Sequence, residues 1–296
     1  DVKPVRERQN DPLPKRNWWL FGRSRPELRR ALTNLPRYIA TSRTSRHRVF
    51  VFVPNGTLPD TKVVAIATAD ASHLAVLSSR VHAAWALRAG AKLGVGNDPT
   101  YNHTEVFDPF PFPSRTEVQI NSLRDLGERL DAHRKARQAE YPELSLTDMY
   151  SVMNKVRSGV TLSLDEQSVR DKGLIDTLSD IHAKIDKATL AAYGWPEHIS
   201  DDELIGRLVD LNSQRFAEEK QGMIHWVRPE YQSPRSVTPQ SALPGITAKD
   251  PSENVALGKR RRNTQRLVWP SDLPARIRIL TALLRELPSS MDTETL

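Results

Sequence analysis

The stretch FDPFPFPSRTE, Phe107 to Glu117, constrains this chain more than any other part of it. Prolines stand at 109, 111 and 113, alternating with Phe110 and Phe112. Each proline holds φ near about −65° and removes a backbone donor, so neither a helix interior nor a central strand can contain the segment. Phe107, Phe110 and Phe112 are nevertheless large apolar groups that belong in a core. A stiff, irregular, apolar segment of this kind reads as a boundary. The phenylalanines are expected to pin the end of one module, and the prolines to fix the angle at which the next leaves. The alternative, a free ligand for a polyproline-binding domain, needs exposed phenylalanines.

The hydrophobic period differs on the two sides. Upstream, VFVFV (Val49–Val53) and KVVAIAT (Lys62–Thr68) are short β-branched runs around the turn PNGTLPD, expected to pair as two strands. RYIATSR adds a candidate strand. SHLAVLSSRVHAAWALRAG is read as a short strand at Leu74–Leu77 running into a helix from about Ser79 to Arg88, and YNHTEVF as a last short strand. Downstream, Val118, Leu123, Leu126 and Leu130 lie near helical spacing. Ser24/Glu27, Ser114/Glu117, Ser163/Glu166 and Ser200/Glu203 have the spacing of capping boxes. Helices are expected at about 146–157, 164–192 and 201–220, with Gly194 and Pro196 of YGWPEHIS ending one before the next begins. The fold class is therefore α+β: an N-terminal mixed α/β domain with a small sheet, then an all-α helical domain and an irregular tail. The expected divisions are a basic, extended arm at 1–17, the α/β domain at 18–113, the helical domain at 114–228, a Pro/Ser-rich linker at 229–262 and a C-terminal amphipathic helix at 263–296.

Charge narrows the partner. Residues 1–50 hold 13 Lys/Arg against 4 Asp/Glu, whereas the remaining 246 residues hold 30 against 32. The basic charge is local, and a concentrated basic region is the footprint of a polyanion binder. Eleven of those thirteen cations are Arg, the side chain that contacts phosphate and guanine in bidentate fashion. The bland alternative is a solvated basic face. Arg43, Arg46, His47 and Arg48 form a basic turn just before the strongest strand, where binding residues concentrate. Ser79 and Arg80 open a predicted helix whose free N–H groups suit a phosphate, although Ser79 is equally an N-cap. A helical interaction module whose basic arm binds RNA or an acidic protein, without methyltransferase activity, is a further option; for RNA, Phe50 and Phe52 fall on one face of a strand. The RNA option ends if both rings are buried.

The usual enzyme motifs are absent: no P-loop, no G-x-G-x-x-G, no G-x-S-x-G and no H-E-x-x-H. Zero cysteines exclude a disulfide framework and thiolate metal sites and suggest a reducing, cytoplasmic setting. No apolar run approaches the roughly 18–20 residues of a membrane span, and the polar start at Asp1, without Met, reads as an internal piece of a longer protein. NDPTY, Asn97–Tyr101, differs by one residue from the Asp-Pro-Pro-Tyr active-site motif of amino-methylating DNA methyltransferases. It follows a short, glycine-broken run, and no glycine-rich cofactor loop precedes it.

Several of these pieces occur in a particular order: WWLFGRSRPELRRALTNLPRYIATSRTSRHRVFVFV, then LAVLSSRVHAAWAL, then a Tyr leading to FPFP, then IHAKIDKATLAAYGWPEHISDDELIGRLVDLNSQR. In that order they resemble the target recognition domain and C-terminal helical region of type IIL, MmeI-like DNA methyltransferases, from about Val2 to Tyr231. The resemblance implies sequence-specific reading of double-stranded DNA on behalf of an S-adenosylmethionine-dependent adenine methyltransferase of a restriction–modification or phage-defence system. The cofactor and the catalytic Asp/Asn-Pro-Pro-Tyr motif belong to a core outside these residues, in cis or on a separate chain. A stand-alone specificity subunit is the variant reading. The resemblance also places base-reading side chains just before the Tyr that leads to FPFP, here Asn97, Asp98 and Thr100. Their chemistry agrees, since Asp accepts from cytosine N4 and Asn pairs with adenine.

Overall fold

A computed structural model describes residues 2–10, 12–19, 25–93 and 98–233. Phe21, Ser24, Asn97, residues 234–262 of the expected linker and the expected helix at 263–296 lie outside the described residues. The expected extended arm contains two short helices instead, α1 (Val2–Glu7) and α2 (Pro12–Arg16). A third, α3 (Pro26–Leu32), starts on a proline, whose fixed φ suits the first turn.

The sheet has three antiparallel strands in the order β2–β1–β3: β1 (Arg37–Ser42), β2 (Val51–Pro54) and β3 (Val63–Ile66). The expected hairpin between the last two does not form, because each pairs with β1, with Ile39 opposite both Phe52 and Ile66. Tyr38 to Thr41 of β1 are all buried, and a strand with no exposed face gains most from having both backbone edges paired. One face carries Ile39, Phe50, Phe52 and Ile66 into the main core. The other packs Tyr38, Ala40, Val51, Val53 and Val63 with Leu28 and Leu32 of α3.

Two helices follow, α4 (Ala71–Ser78) and α5 (Arg80–Ala89), hinged at an extended Ser79. The strand expected at Leu74–Leu77 is part of α4. Asp70 caps it, accepting from Ser72 N at 2.9 Å, and Ala71 to Leu77 are all buried. A short helix buried on every side has no amphipathic period, so its apolar run reads equally well as a strand. Strands β4 (Lys92–Leu93) and β5 (Asp98–Pro99) pair antiparallel. The strand expected in YNHTEVF is a single π-turn at His103–Phe107, capped by Asn102.

Five long helices complete the body: α6 (Glu117–Glu140), α7 (Leu146–Arg157), α8 (Leu164–Gly173), α9 (Ile175–Tyr193) and α10 (Asp201–Lys220). The capping box of α6 is Thr116/Gln119 rather than Ser114/Glu117, whereas Ser163/Glu166 caps α8 as its spacing implies. The helix expected at 164–192 is broken at Leu174, which adopts a left-handed φ of 45°. Gly194, at φ 71°, closes α9 in the conformation that favours glycine.

A single core joins the sheet, α4 and helices α6 to α10. At the crossing of α4 and α6 the backbones touch: a Cβ on Gly127 would lie 2.0 Å from the Ala71 carbonyl oxygen. The proline segment is thus a change of pattern inside one core. Phe110 is buried, 4.7 Å from the His82 ring and 5.0 Å from that of Phe112. Its carbonyls find side-chain donors, Tyr193 Oη on Pro111 O at 2.8 Å and Asn212 Nδ2 on Pro109 O. After α10, a short helix α11 (Pro229–Gln232) follows Arg228, whose guanidinium donates to the carbonyls of Ala31 and Ala67.

Candidate nucleic-acid interface

The basic turn and the segment 98–101 are physically one unit. Tyr101 N donates to Arg43 O at 2.7 Å, Thr100 bridges Thr44, and Ser45 N donates to Pro99 O at 3.5 Å. On the other side the Thr100 amide and hydroxyl both donate to Ala91 O, at 2.7 and 2.8 Å. Gly90 permits this approach, because a Cβ there would lie 2.4 Å from Thr100 O. Asp98 is partly exposed, and among the described residues no hydrogen bond or ion pair involves its carboxylate.

The candidate residues sort by what they touch. Arg43 and Arg46 are exposed and, among the described residues, have no acidic partner. Arg48 points inward. It donates to Pro99 O at 3.0 Å, to Thr41 Oγ1 at 3.2 Å and to Ser42 O, and it lies over the Tyr101 ring. Burial lowers its pKa to about 10, against the opposing pull of Tyr101, so it stays charged at neutral pH. His47 bonds Ser151 Oγ at 2.9 Å, and burial together with Arg46 pushes its pKa down, which favours the neutral ring. Ser79 is fully buried, its hydroxyl donating to Val76 O and accepting from His82 N. The start of α5 does attract an anion, but that anion is the protein's own Asp186, which accepts from Arg80 N at 2.6 Å. The Arg80 guanidinium pairs with Asp201 and Ile199 O. Thr100 is buried with its hydroxyl turned inward.

Arg46, His47, Arg48, Arg80 and Pro99 border one cleft of about 200 Å³ against α7 and α9. Arg157, on its far wall, escaped the sequence reading. Its side chain is held by Ser179 Oγ and O and, among the described residues, has no carboxylate within bonding distance. The only signal for it was a cation in the last turn of an amphipathic helix. The cleft floor holds Tyr150 and His182, whose bond is 2.7 Å, with Arg134 donating to the same Tyr150 hydroxyl. Phe50 and Phe52 are buried, so they cannot serve as a stacking platform for RNA bases.

Residues 8–114 match the family described as MmeI, target recognition domain. This segment belongs to that family. The match to the target recognition domain ends one residue beyond Pro113, at the foot of the proline segment. The wider fold is similar to that in "Structure of Type IIL restriction-modification enzyme MmeI in complex with DNA has implications for engineering of new specificities", with a TM-score of 0.54 at 18% identity. That similarity covers 73% of this chain and 26% of that one, so this chain spans about a quarter of that protein's length. No curated protein matches.

Within the target recognition domain, Asp98–Tyr101 cannot act as an amino-methylating motif. Such a motif needs its aromatic ring free to stack on an extruded base. Tyr101 is fully buried, its ring against Phe50 and its hydroxyl on His82. No described helix is long and apolar enough to cross a membrane.

Proposed function

We propose that this chain reads the sequence of double-stranded DNA for an S-adenosylmethionine-dependent adenine-N6 methyltransferase of a restriction–modification or phage-defence system, acting in the cytoplasm. The observation that carries the reading is the track at 98–101. It ties Asp98, whose carboxylate has no partner among the described residues, to the turn that carries Arg43 and Arg46, inside a segment of the MmeI target recognition domain family. Arg43, Arg46 and Arg157 would neutralise backbone phosphates and fix register, while Asp98 meets a base edge and accepts from cytosine N4. Methyl transfer would take place on a catalytic core that binds the cofactor, linked to these residues or carried by a partner chain.

Selection of bound sites from random duplex, followed by electrophoretic shift, tests the reading. Asp98→Ala should change base preference with little change in affinity for random duplex. Binding that does not weaken with salt, or a preference untouched by Asp98→Ala, would count against it. Co-purification with a chain carrying the methyltransferase motifs distinguishes a separate specificity subunit from a linked one.

A further inference from the structure

Arg48 lies among the cations that suggest phosphate contact, yet all its bonds run into the protein. One guanidinium nitrogen reaches Thr41 Oγ1 and Ser42 O at the end of β1. The other reaches Pro99 O, and the carbon of the group lies 5.0 Å from the centre of the Tyr101 ring. Tyr101 is held from below by His82, and its amide is bound by Arg43 O. Arg48 therefore links three things: the last residues of β1, the basic turn that follows it, and the carbonyl next to Asp98. A planar, forked cation can bridge separate carbonyls in this way, whereas a lysine ammonium on a flexible stem does not hold the same geometry.

We propose that Arg48 is a positioning residue: it sets base preference by holding Asp98–Tyr101 against the Arg43–Ser45 turn, and it does not itself touch DNA. The proposal rests on the DNA-reading function above, and its two measurements separate it from that function.

The first measurement needs no DNA. Amide hydrogen exchange of the full chain is compared between the wild type and Arg48→Lys, which keeps the charge and loses the fork. The Thr100 and Tyr101 amides should exchange about tenfold faster in the variant, as expected when local opening becomes easier. Unchanged exchange at both amides overturns the proposal.

The second measurement uses selected and random duplexes with Arg48→Lys and Arg48→Gln. Both should lower the ratio of selected-site to random-site affinity by roughly tenfold or more, the size of one mismatched base pair. Arg48→Gln should leave the salt slope for random duplex at its wild-type value. A slope reduced by about 0.9 in Arg48→Gln, with Arg48→Lys behaving as wild type, is the signature of direct phosphate contact and overturns the proposal. If the wild type binds no duplex, the DNA-reading function falls, and the exchange result alone decides whether Arg48 positions the segment.

Discussion

The Tyr101 hydroxyl donates to Nε2 of His82 across 3.1 Å in a fully buried setting. The direction follows from the other side of the ring, where His82 Nδ1 faces the Leu77 carbonyl at 3.0 Å and must donate to it. Nε2 is therefore the bare nitrogen. Tyr101→Phe leaves that nitrogen without a partner, which should cost about 1–3 kcal/mol. Urea denaturation measures it, and His82→Phe in the same background should cost less than in the wild type, since the partner is already gone.

Salt dependence separates the free cations from the committed ones. Arg43→Ala and Arg46→Ala should each lower the log–log salt slope of random-duplex binding by about 0.9. Arg80→Ala should leave the slope unchanged, because its charge is taken up by Asp201. That pair is exposed, so its loss should cost under about 1 kcal/mol of stability. Equal slopes for all three variants would mean that these ion pairs do not govern availability to DNA.

Acid should weaken the fold from near neutrality downward. Burial depresses His73 to about 4, helped by Arg115. Burial likewise depresses His82 to about 3, against the Leu77 bond that favours its proton. In the unfolded chain both should titrate near about 6.5, so between there and the folded values the unfolded state binds more protons and stability falls as pH falls. Asp70 adds a lower window. Burial raises its pKa, but the bonds from Arg124 and Ser72 outweigh this and hold it at about 2. Its contribution is complete above about 4 and fades as pH drops toward the folded value. The urea midpoint should therefore decline continuously from about pH 7 to about pH 4, and His73→Gln should flatten that decline. A midpoint independent of pH across this range would refute the assignment of neutral, buried rings.

Gly127→Ala should be among the most damaging single-methyl changes in the chain. The added carbon would collide with the Ala71 carbonyl, which is backbone and cannot swing aside. Forcing α4 and α6 apart should cost about 1–3 kcal/mol or more, read as a lower Tm. Gly206→Ala serves as the control, since a Cβ there meets nothing within 4 Å and the residue is helical. It should be neutral or slightly stabilising.

Long amphipathic helices were legible in the sequence because a buried stripe and a cap are local signals. Those at Leu146–Arg157 and Asp201–Lys220 fall where the spacing places them. Elements decided by their surroundings were not legible. Apolar Ala71–Leu77 is helical because the sheet, α6 and α9 enclose it, and nothing in its own pattern says so. The centrality of β1 depends on which strand has two buried faces, which is a property of the assembled sheet. At the candidate interface, residue type located the basic turn but could not separate Arg46, which has no partner among the described residues, from Arg48, which is bonded inward. Arg157 came from a helix that the pattern assigned to a different domain.

Tyr193 and Asn212 bind the carbonyls of Pro111 and Pro109 from helices some eighty to a hundred residues further along the chain. A cut at residue 113 would strip those donors away and leave the two proline carbonyls without them. A module exchanged at this seam would have to bring matching donors with it, however tidy the seam looks in sequence. Under the proposed function, a change of base preference made within Asp98–Tyr101 would leave these two contacts in place.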